Sequence, residues 1–399
     1  MNLHVLQNPV ATSEAKEIMA VPHQIISPKD SVPVIEPVQD SVIGSYLLTR
    51  KDTFLTKSRF FDLTMVVKYG DRPVPEPAIL FKGPGGKWDG LFTGKQLATY
   101  YMPKGITLQR AVRGLEASGL GACMDPDERY VYVHDGNVLA GQLCKRTIGG
   151  VSRGIVQRTV HAHGSWRAAK LISDLQRVAT HWIANHGFSI GLEDCVHTQS
   201  TQNDIDGIIQ SAFHRIETGT AAARENGISE LDIESECQNL LSSVLNTVAS
   251  GVLTTLDPRN NIRMCVESGS KGKKLNICQI HGCIGQQVVS GSRVRQRKDF
   301  GARTFPCYEK GDEDPVAFGF CPTSYMQGLD PVAYYTHSQG GREGMIDTAC
   351  KTAETGYIQR RLITILQSEK AHFDGTVRDS NAGIVMFRYG GDRMDAEKL

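Results

Sequence analysis

Residues 340–362 read GGREGMIDTACKTAETGYIQRRL, and the fold of the chain turns on whether this stretch is a single helix. Just upstream, Asp330-Pro331 is a helix start. The carboxylate can cap free N–H groups, and the proline lacks an N–H where none is needed. No further proline follows through Ser368, so a continuous rod of roughly 57 Å is possible at about 1.5 Å per residue. Gly340, Gly341, Gly344 and Gly356 lie inside it, and each costs on the order of 1 kcal/mol relative to Ala in a helix interior. Two causes would justify that cost: close approach of another body to the backbone, or a helix that must bend and straighten.

The middle of this stretch is low and then basic. Ala349 and Ala353 keep the surface small, while Thr352 and Tyr357 flank it with a hydroxyl and a flat ring. Such a surface suits a nucleic-acid base. Lys351 follows Asp347 by one turn, a mildly stabilising acid-then-base pair. Arg360 and Arg361 load the later part with cations, favourable for a helix C-terminus and for phosphates alike.

Working outward, the spacing of Ala168, Leu171, Ile172, Leu175, Val178, Ala179, Trp182 and Ile183 predicts an amphipathic helix over Ser165–His186, ended by Gly187. Thr201–Glu225 and Ser229–Leu256 read as two helices joined at Asn226-Gly227, with Ser229 and Asp232 approximating a capping box. Residues 1 to about 160 read as mixed, strand-rich structure, with Ile25-Ile26, Val32–Val34, Tyr46–Leu48, Val66-Val67 and Tyr130–Val133 as short apolar or alternating runs. Asp135-Gly136 marks a hairpin. GPGGKWDG, residues 83–90, is a turn cluster and not a phosphate-binding loop, because Trp88 follows the lysine where Ser or Thr is required. The predicted class is α+β.

With 399 residues, the chain can bury the cores of two or three domains. A formal net charge of +1 argues against a uniformly basic nucleic-acid binder. Between Glu267 and Lys310, however, nine Lys or Arg residues face three acids, which reads either as a solvated face or as a phosphate-binding surface. The ten cysteines form no C-x-x-C pair, and Cys278 with Cys283 does not make a zinc knuckle. Reduced, buried thiols in an intracellular protein are expected. No window of about 20 apolar residues predicts a membrane span. His161 and His163 would share a strand face but lack further ligands. Asp204 and Asp206 read as helix-capping acids. No Cys/His/Asp constellation supports a self-contained hydrolase.

PVAYYTHSQGGREGMIDTACKTAETGYIQRRL, residues 331–362, resembles the bridge helix of the largest subunit of multisubunit DNA-directed RNA polymerases, in the eukaryotic RNA polymerase II form. Residues 1–54 resemble the segment that follows the family's catalytic aspartate loop. GSKGKKLNICQIHGCIGQQVVSGSRV, residues 269–294, is similar to the funnel and pore-rim segment, and residues 374–399 to the start of the cleft. Several motifs in one order are far more specific than any single one.

The resemblance implies a pore domain over 1–200, a funnel domain with a helical hairpin over 201–328, a bridge helix over 329–368 and the start of the cleft region over 369–399. Thr352, Ala353, Tyr357, Arg360 and Arg361 would contact the template strand. Lys271, which otherwise reads as an exposed lysine in a glycine turn, would face the phosphates of the incoming nucleotide. Gln279, Gln286, Gln287, His337 and Glu343 would form the pore rim, although the glutamines suit buried hydrogen-bonding roles equally. The four glycines would give the helix its flexibility. Catalysis would use Mg2+ held by an aspartate loop outside these residues, and the family's trigger-loop motif is absent from them. The chain alone would therefore be inactive. Implied partners are the second-largest subunit, the rest of the largest subunit, DNA template, RNA and nucleoside triphosphates, in the nucleus or, for a large DNA virus, in the viral factory or virion. Ser338-Gln339 and Ala333 depart from the usual pattern and put inhibitor sensitivity in question. A different class, a nucleic-acid-binding or assembly module that keeps the scaffold without synthesis, remains the alternative.

Overall fold

The structure is a computed structural model and describes residues 3–67, 72–83, 86, 88–111, 128, 130–296 and 301–395. The architecture is α+β, helices with small antiparallel sheets, and the chain divides into two compact units. The first comprises Met1–Ser189, Met264–Lys271 and Met394–Leu399, and the second Ile190–Arg263 and Gly272–Arg393.

The first unit opens with α1 (Pro9–Glu17), capped by Asn8, and then α2 (Asp40–Leu48). β1 (Phe54–Thr56) leads into α3 (Lys57–Val66), β2 (Ile79–Lys82) and β3 (Trp88–Thr93), and the strands pair antiparallel in the order β1-β3-β2. Thr93 and Gln96 close a reciprocal capping box at the start of α4 (Gly94–Tyr101). β4 (Leu108–Ala111), β5 (Tyr130–His134) and β6 (Asn137–Ala140) form an antiparallel meander. Its hairpin turn has Asp135 at φ 48° and Gly136 at φ 71°, the two positive φ values of a tight turn that matches strand twist. α5 (Lys145–Ile148), α6 (Ile155–His163) and α7 (Ser165–His186) follow.

α7 organises this core. Its Leu171, Leu175 and Val178 are buried with Leu47 and Leu48 of α2, Phe60 and Leu63 of α3, Leu97 and Tyr101 of α4, and Val131 and Val133 of β5. Each such side chain contributes roughly 1.5–3 kcal/mol of burial. α2 crosses α7 at Gly44, where a Cβ would come 2.9 Å from the Ala179 carbonyl oxygen. Phe60 stacks on Phe92 at 4.2 Å.

The strand-rich reading of residues 1–160 is corrected: helices carry more of this region than strands. Tyr46–Leu48 belongs to α2 and Val66 to α3. Every residue from Ser41 to Leu48 is buried, and a helix buried on all sides shows no amphipathic rhythm to separate it from a buried strand. Trp88–Gly90 starts β3 and is not a turn, while Pro84, Gly85 and Lys87 of that cluster lie outside the described residues. His161 and His163 end a helix, not a strand, and His163 Nε2 lies 2.7 Å from the Lys104 carbonyl oxygen.

In the second unit, α8 (Gln199–Glu225) and α9 (Glu230–Thr255) fold back on each other through a short turn. Ile205, Ile209 and Ile216 of α8 and Ile233, Cys237, Leu241, Val244 and Val248 of α9 are the buried stripes. Ser229 caps α9 by accepting from the Leu231 N–H. Asp204 and Asp206 do not cap a helix, because α8 starts earlier, after Thr198, leaving both acids inside it. α10 (Asn261–Ser268) starts in this unit, and its residues from Met264 onward belong to the first; α11 (Lys274–His281) follows and packs on α9. β7 (Gly285–Gln286) pairs antiparallel with β8 (Phe320–Cys321). α12 (Pro331–Leu366) is a 36-residue helix, and β9 (Lys370–Ala371), the half-buried β10 (Val377–Arg378) and β11 (Ile384–Met386) form a small meander after it.

Candidate nucleic-acid interface

α12 begins as its residues dictate: Asp330 Oδ1 accepts the Ala333 N–H at 2.7 Å, and Pro331 occupies the first position. At about 1.5 Å per residue it is roughly 54 Å long. Its first turns are anchored. Ala333 and Thr336 are buried, and Cys321 Sγ lies 3.7 Å from the Ala333 carbonyl oxygen. Burial, with Asp330 adding to it, pushes the Cys321 thiol up to about 11, so this cysteine is a neutral packing group.

The anchored part contacts residues that follow β7. His337 Nδ1 lies 3.0 Å from Gln287 Oε1, and His337 Nε2 lies 3.1 Å from the Tyr325 hydroxyl. An amide oxygen only accepts, so the Nδ1–H donates to Gln287. The Tyr325 backbone N–H donates to the Gln279 carbonyl at 3.0 Å. Gln287 Nε2 donates to the Gly285 carbonyl, and Gln286 Nε2 to the Phe318 carbonyl at 2.9 Å. Glu343 accepts the Ser290 N–H on both oxygens, at 3.0 and 2.8 Å. Gln287 and Ser290 are thus joined to His337 and Glu343 at the start of α12, whereas Gln279 reaches this group only through its backbone carbonyl and Gln286 bonds to the Phe318 carbonyl. Between Val288–Gly291 and the helix lies an open groove of about 1290 Å3, reaching as far as Lys351 and Glu354.

Beyond that anchor, every residue from Gly341 to Leu366 is exposed. Apart from the Glu343 contact to Ser290, this stretch lies open among the described residues, and Ile358, Leu362 and Ile365 are each more than half exposed. At about 100° per residue, Ala349, Ala353, Gly356 and Arg360 form one low stripe. Thr352 flanks it and turns its hydroxyl onto the Ala349 carbonyl at 2.9 Å. Tyr357 flanks the other side, with the Arg361 guanidinium 5.5 Å over its ring, a cation–π arrangement. Lys351 pairs with Asp347 at 2.5 Å, and that hydrogen bond and charge raise the lysine's pKa. A Cβ on Gly341, Gly344 or Gly356 would meet nothing within 4 Å, whereas one on Gly340 would lie 3.5 Å from the Val288 carbonyl oxygen.

Lys271 belongs to the first unit and the other candidates to the second. It is exposed, between Gly269 and Gly272, which both have positive φ. In the basic run, Arg293 is bound bidentately by Glu234 at 2.8 and 2.6 Å and is therefore a structural cation, while Arg297 and Lys298 lie outside the described residues. Tyr325 and the Ser290 backbone were missed from sequence. Neither carries a local signal, since their roles come from partners 12 and 53 residues away.

Three family profiles match: RNA polymerase Rpb1, domain 3, over residues 24–195; domain 4, over 220–321; and domain 5, over 328–394. The chain belongs to the RNA polymerase largest-subunit family. The DNA-directed RNA polymerase II subunits RPB1-A and RPB1-B of Trypanosoma brucei brucei are each 34% identical to it over 406 residues. Those alignments cover 100% of this chain and 22% of each relative, so this Rpb1 homologue spans about a fifth of their length. Among its described residues, no three His, Cys, Asp or Glu side chains are grouped to hold a metal ion, and no helix is long and apolar enough to cross a membrane.

Proposed function

We propose that this chain works within the catalytic largest subunit of a DNA-dependent RNA polymerase in the nucleus, where α12 is the bridge helix. In that role the stripe of Ala349, Ala353 and Gly356 supports the template base at the growing end, flanked by Thr352 and Tyr357, with Arg360 and Arg361 toward the phosphates. Residues 1–200 and 201–328 form the pore and funnel through which nucleoside triphosphates arrive, Lys271 receives their phosphates, and residues 369–399 start the cleft. Gln279, Gln286, Gln287, His337 and Glu343 form the pore rim. The second-largest subunit, the rest of the largest subunit, DNA and RNA are the partners that cover the helix.

The observation that carries this reading is a continuous helix exposed from Gly341 to Leu366 with a small-residue stripe at its centre. A helix within a protein owes most of its stability to packing of one face, so such a rod is built to be covered. Nucleotide transfer needs Mg2+. The described residues do not fit that ion, having no group of three suitable ligands, so the proposal places it on other residues of the enzyme. The test is Ala353→Phe in the assembled polymerase. Elongation should slow sharply while assembly is retained, and wild-type elongation would refute the template-side assignment.

A further inference from the structure

Lys271 is presented by a built turn. Ser268 is buried, and its hydroxyl donates to the Cys265 carbonyl at 3.1 Å and accepts the Ser270 N–H at 3.3 Å. The Ser270 hydroxyl donates to the same carbonyl at 3.2 Å. Upstream, Met264 Sδ lies 3.4 Å from the Arg50 guanidinium, and the Tyr46 hydroxyl donates to Glu267 at 3.4 Å, tying the segment to α2 and the residues after it. The turn then passes Gly269 at φ 75°, where a Cβ would sit 2.8 Å from Cβ of Lys145. A side chain at 269 would therefore be strained by conformation and by contact.

Lys145 is the first residue of α5. Its ammonium lies 2.8 Å from Glu36 Oε1, and the other oxygen of Glu36 accepts the Gly150 N–H. One carboxylate thus holds both the start of α5 and the turn after it. The aliphatic stem of Lys145 is left as the floor against which the backbone of Gly269 rests, two residues before Lys271. All of these groups lie in the first unit.

We propose that Lys145 is a positioning residue for Lys271, acting through its stem and not its charge. The inference rests on the reading of Lys271 as a phosphate contact. A flexible ammonium on a long stem loses reach and orientation when its backbone is released, so loosening the floor weakens capture of the triphosphate without touching the reacting atoms.

The test uses the assembled polymerase and measures single-nucleotide addition against nucleoside triphosphate concentration. Lys145→Ala should raise KM severalfold at unchanged kcat. Lys145→Met, which keeps the stem and removes the charge, should stay near the wild-type KM. Gly269→Ala should raise KM as Lys145→Ala does, and Lys145→Ala should add nothing in a Lys271→Ala background. A wild-type KM for Lys145→Ala, or equal defects in the alanine and methionine variants, overturns the inference. An unchanged KM for Lys271→Ala instead overturns the phosphate-contact reading on which it rests.

Discussion

Glu343 places both carboxylate oxygens on the backbone N–H of Ser290, so the segment after β7 is bound to α12 downstream of Gly340-Gly341. Upstream of the same glycines, Gln287 is bound to His337. The segment therefore grips the helix on both sides of its paired glycines. Glu343→Ala removes a charge-assisted hydrogen bond, a local loss of about 1 kcal/mol at this exposed position. Amide hydrogen exchange should accelerate at Ser290 and its neighbours while the α8–α9 hairpin is unaffected. Unchanged exchange at Ser290 would show that the contact does not hold the segment.

Gly341, Gly344 and Gly356 face open space among the described residues. If flexibility is their purpose, Gly341→Ala and Gly344→Ala should each stiffen the helix by on the order of 1 kcal/mol. Thermal stability should hold or rise while elongation by the assembled enzyme slows. If close approach of a partner is their purpose, Gly356→Ala should impair function more than the other two. Variants that are more stable and fully active would dismiss both causes.

Arg360 makes no ion pair with the described residues, whereas Arg361 lies over Tyr357. Arg360→Ala should weaken template binding evenly across sequences and reduce the slope of log affinity against log salt by about 1. A filter-binding or anisotropy titration at several salt concentrations reads this directly. An unchanged slope would place Arg360 away from phosphate.

His281 is fully buried on α11, neither ring nitrogen has a hydrogen-bond partner, and its ring packs 5.9 Å from that of His197. Burial first, and then the neighbouring His197, lowers its pKa to about 4, with Asp194 opposing. The unfolded chain, with an ordinary histidine near 6.5, binds the extra proton more readily. The neutral ring's contribution is therefore intact above about pH 6.5 and is lost as pH falls toward 4, by at most about 3 kcal/mol. His281→Phe should flatten the decline of Tm between pH 7 and 4.5, and an identical decline in the variant would exclude His281 as its source.

Much of the scaffold was legible locally. α7, the α8–α9 hairpin, the Asp135-Gly136 turn and α12 with its Asp330 cap all follow from side-chain periodicity and from residues that satisfy free backbone groups within a few positions. Local signals are ambiguous where burial is complete or where one pattern serves two structures. Tyr46–Leu48 carries no helical rhythm because the helix around it is buried on all sides, acids such as Asp204 and Asp206 resemble caps wherever the helix begins, and the two-residue spacing of His161 and His163 suits a strand face as well as a helix end.

What the sequence by itself determined was the existence and start of the long helix, its four glycines, its low central stripe and its later cations. These are properties of neighbours along one chain, where caps and period act over a single turn. What only the tertiary structure decided was which part of that helix is held and which is bare. The grip of Gln287 and Ser290, the Tyr325 contact to His337 and the seat of Gly269 on Lys145 join groups from 12 to 124 residues apart. Such pairings depend on where cores close in space, and no local pattern encodes that distance.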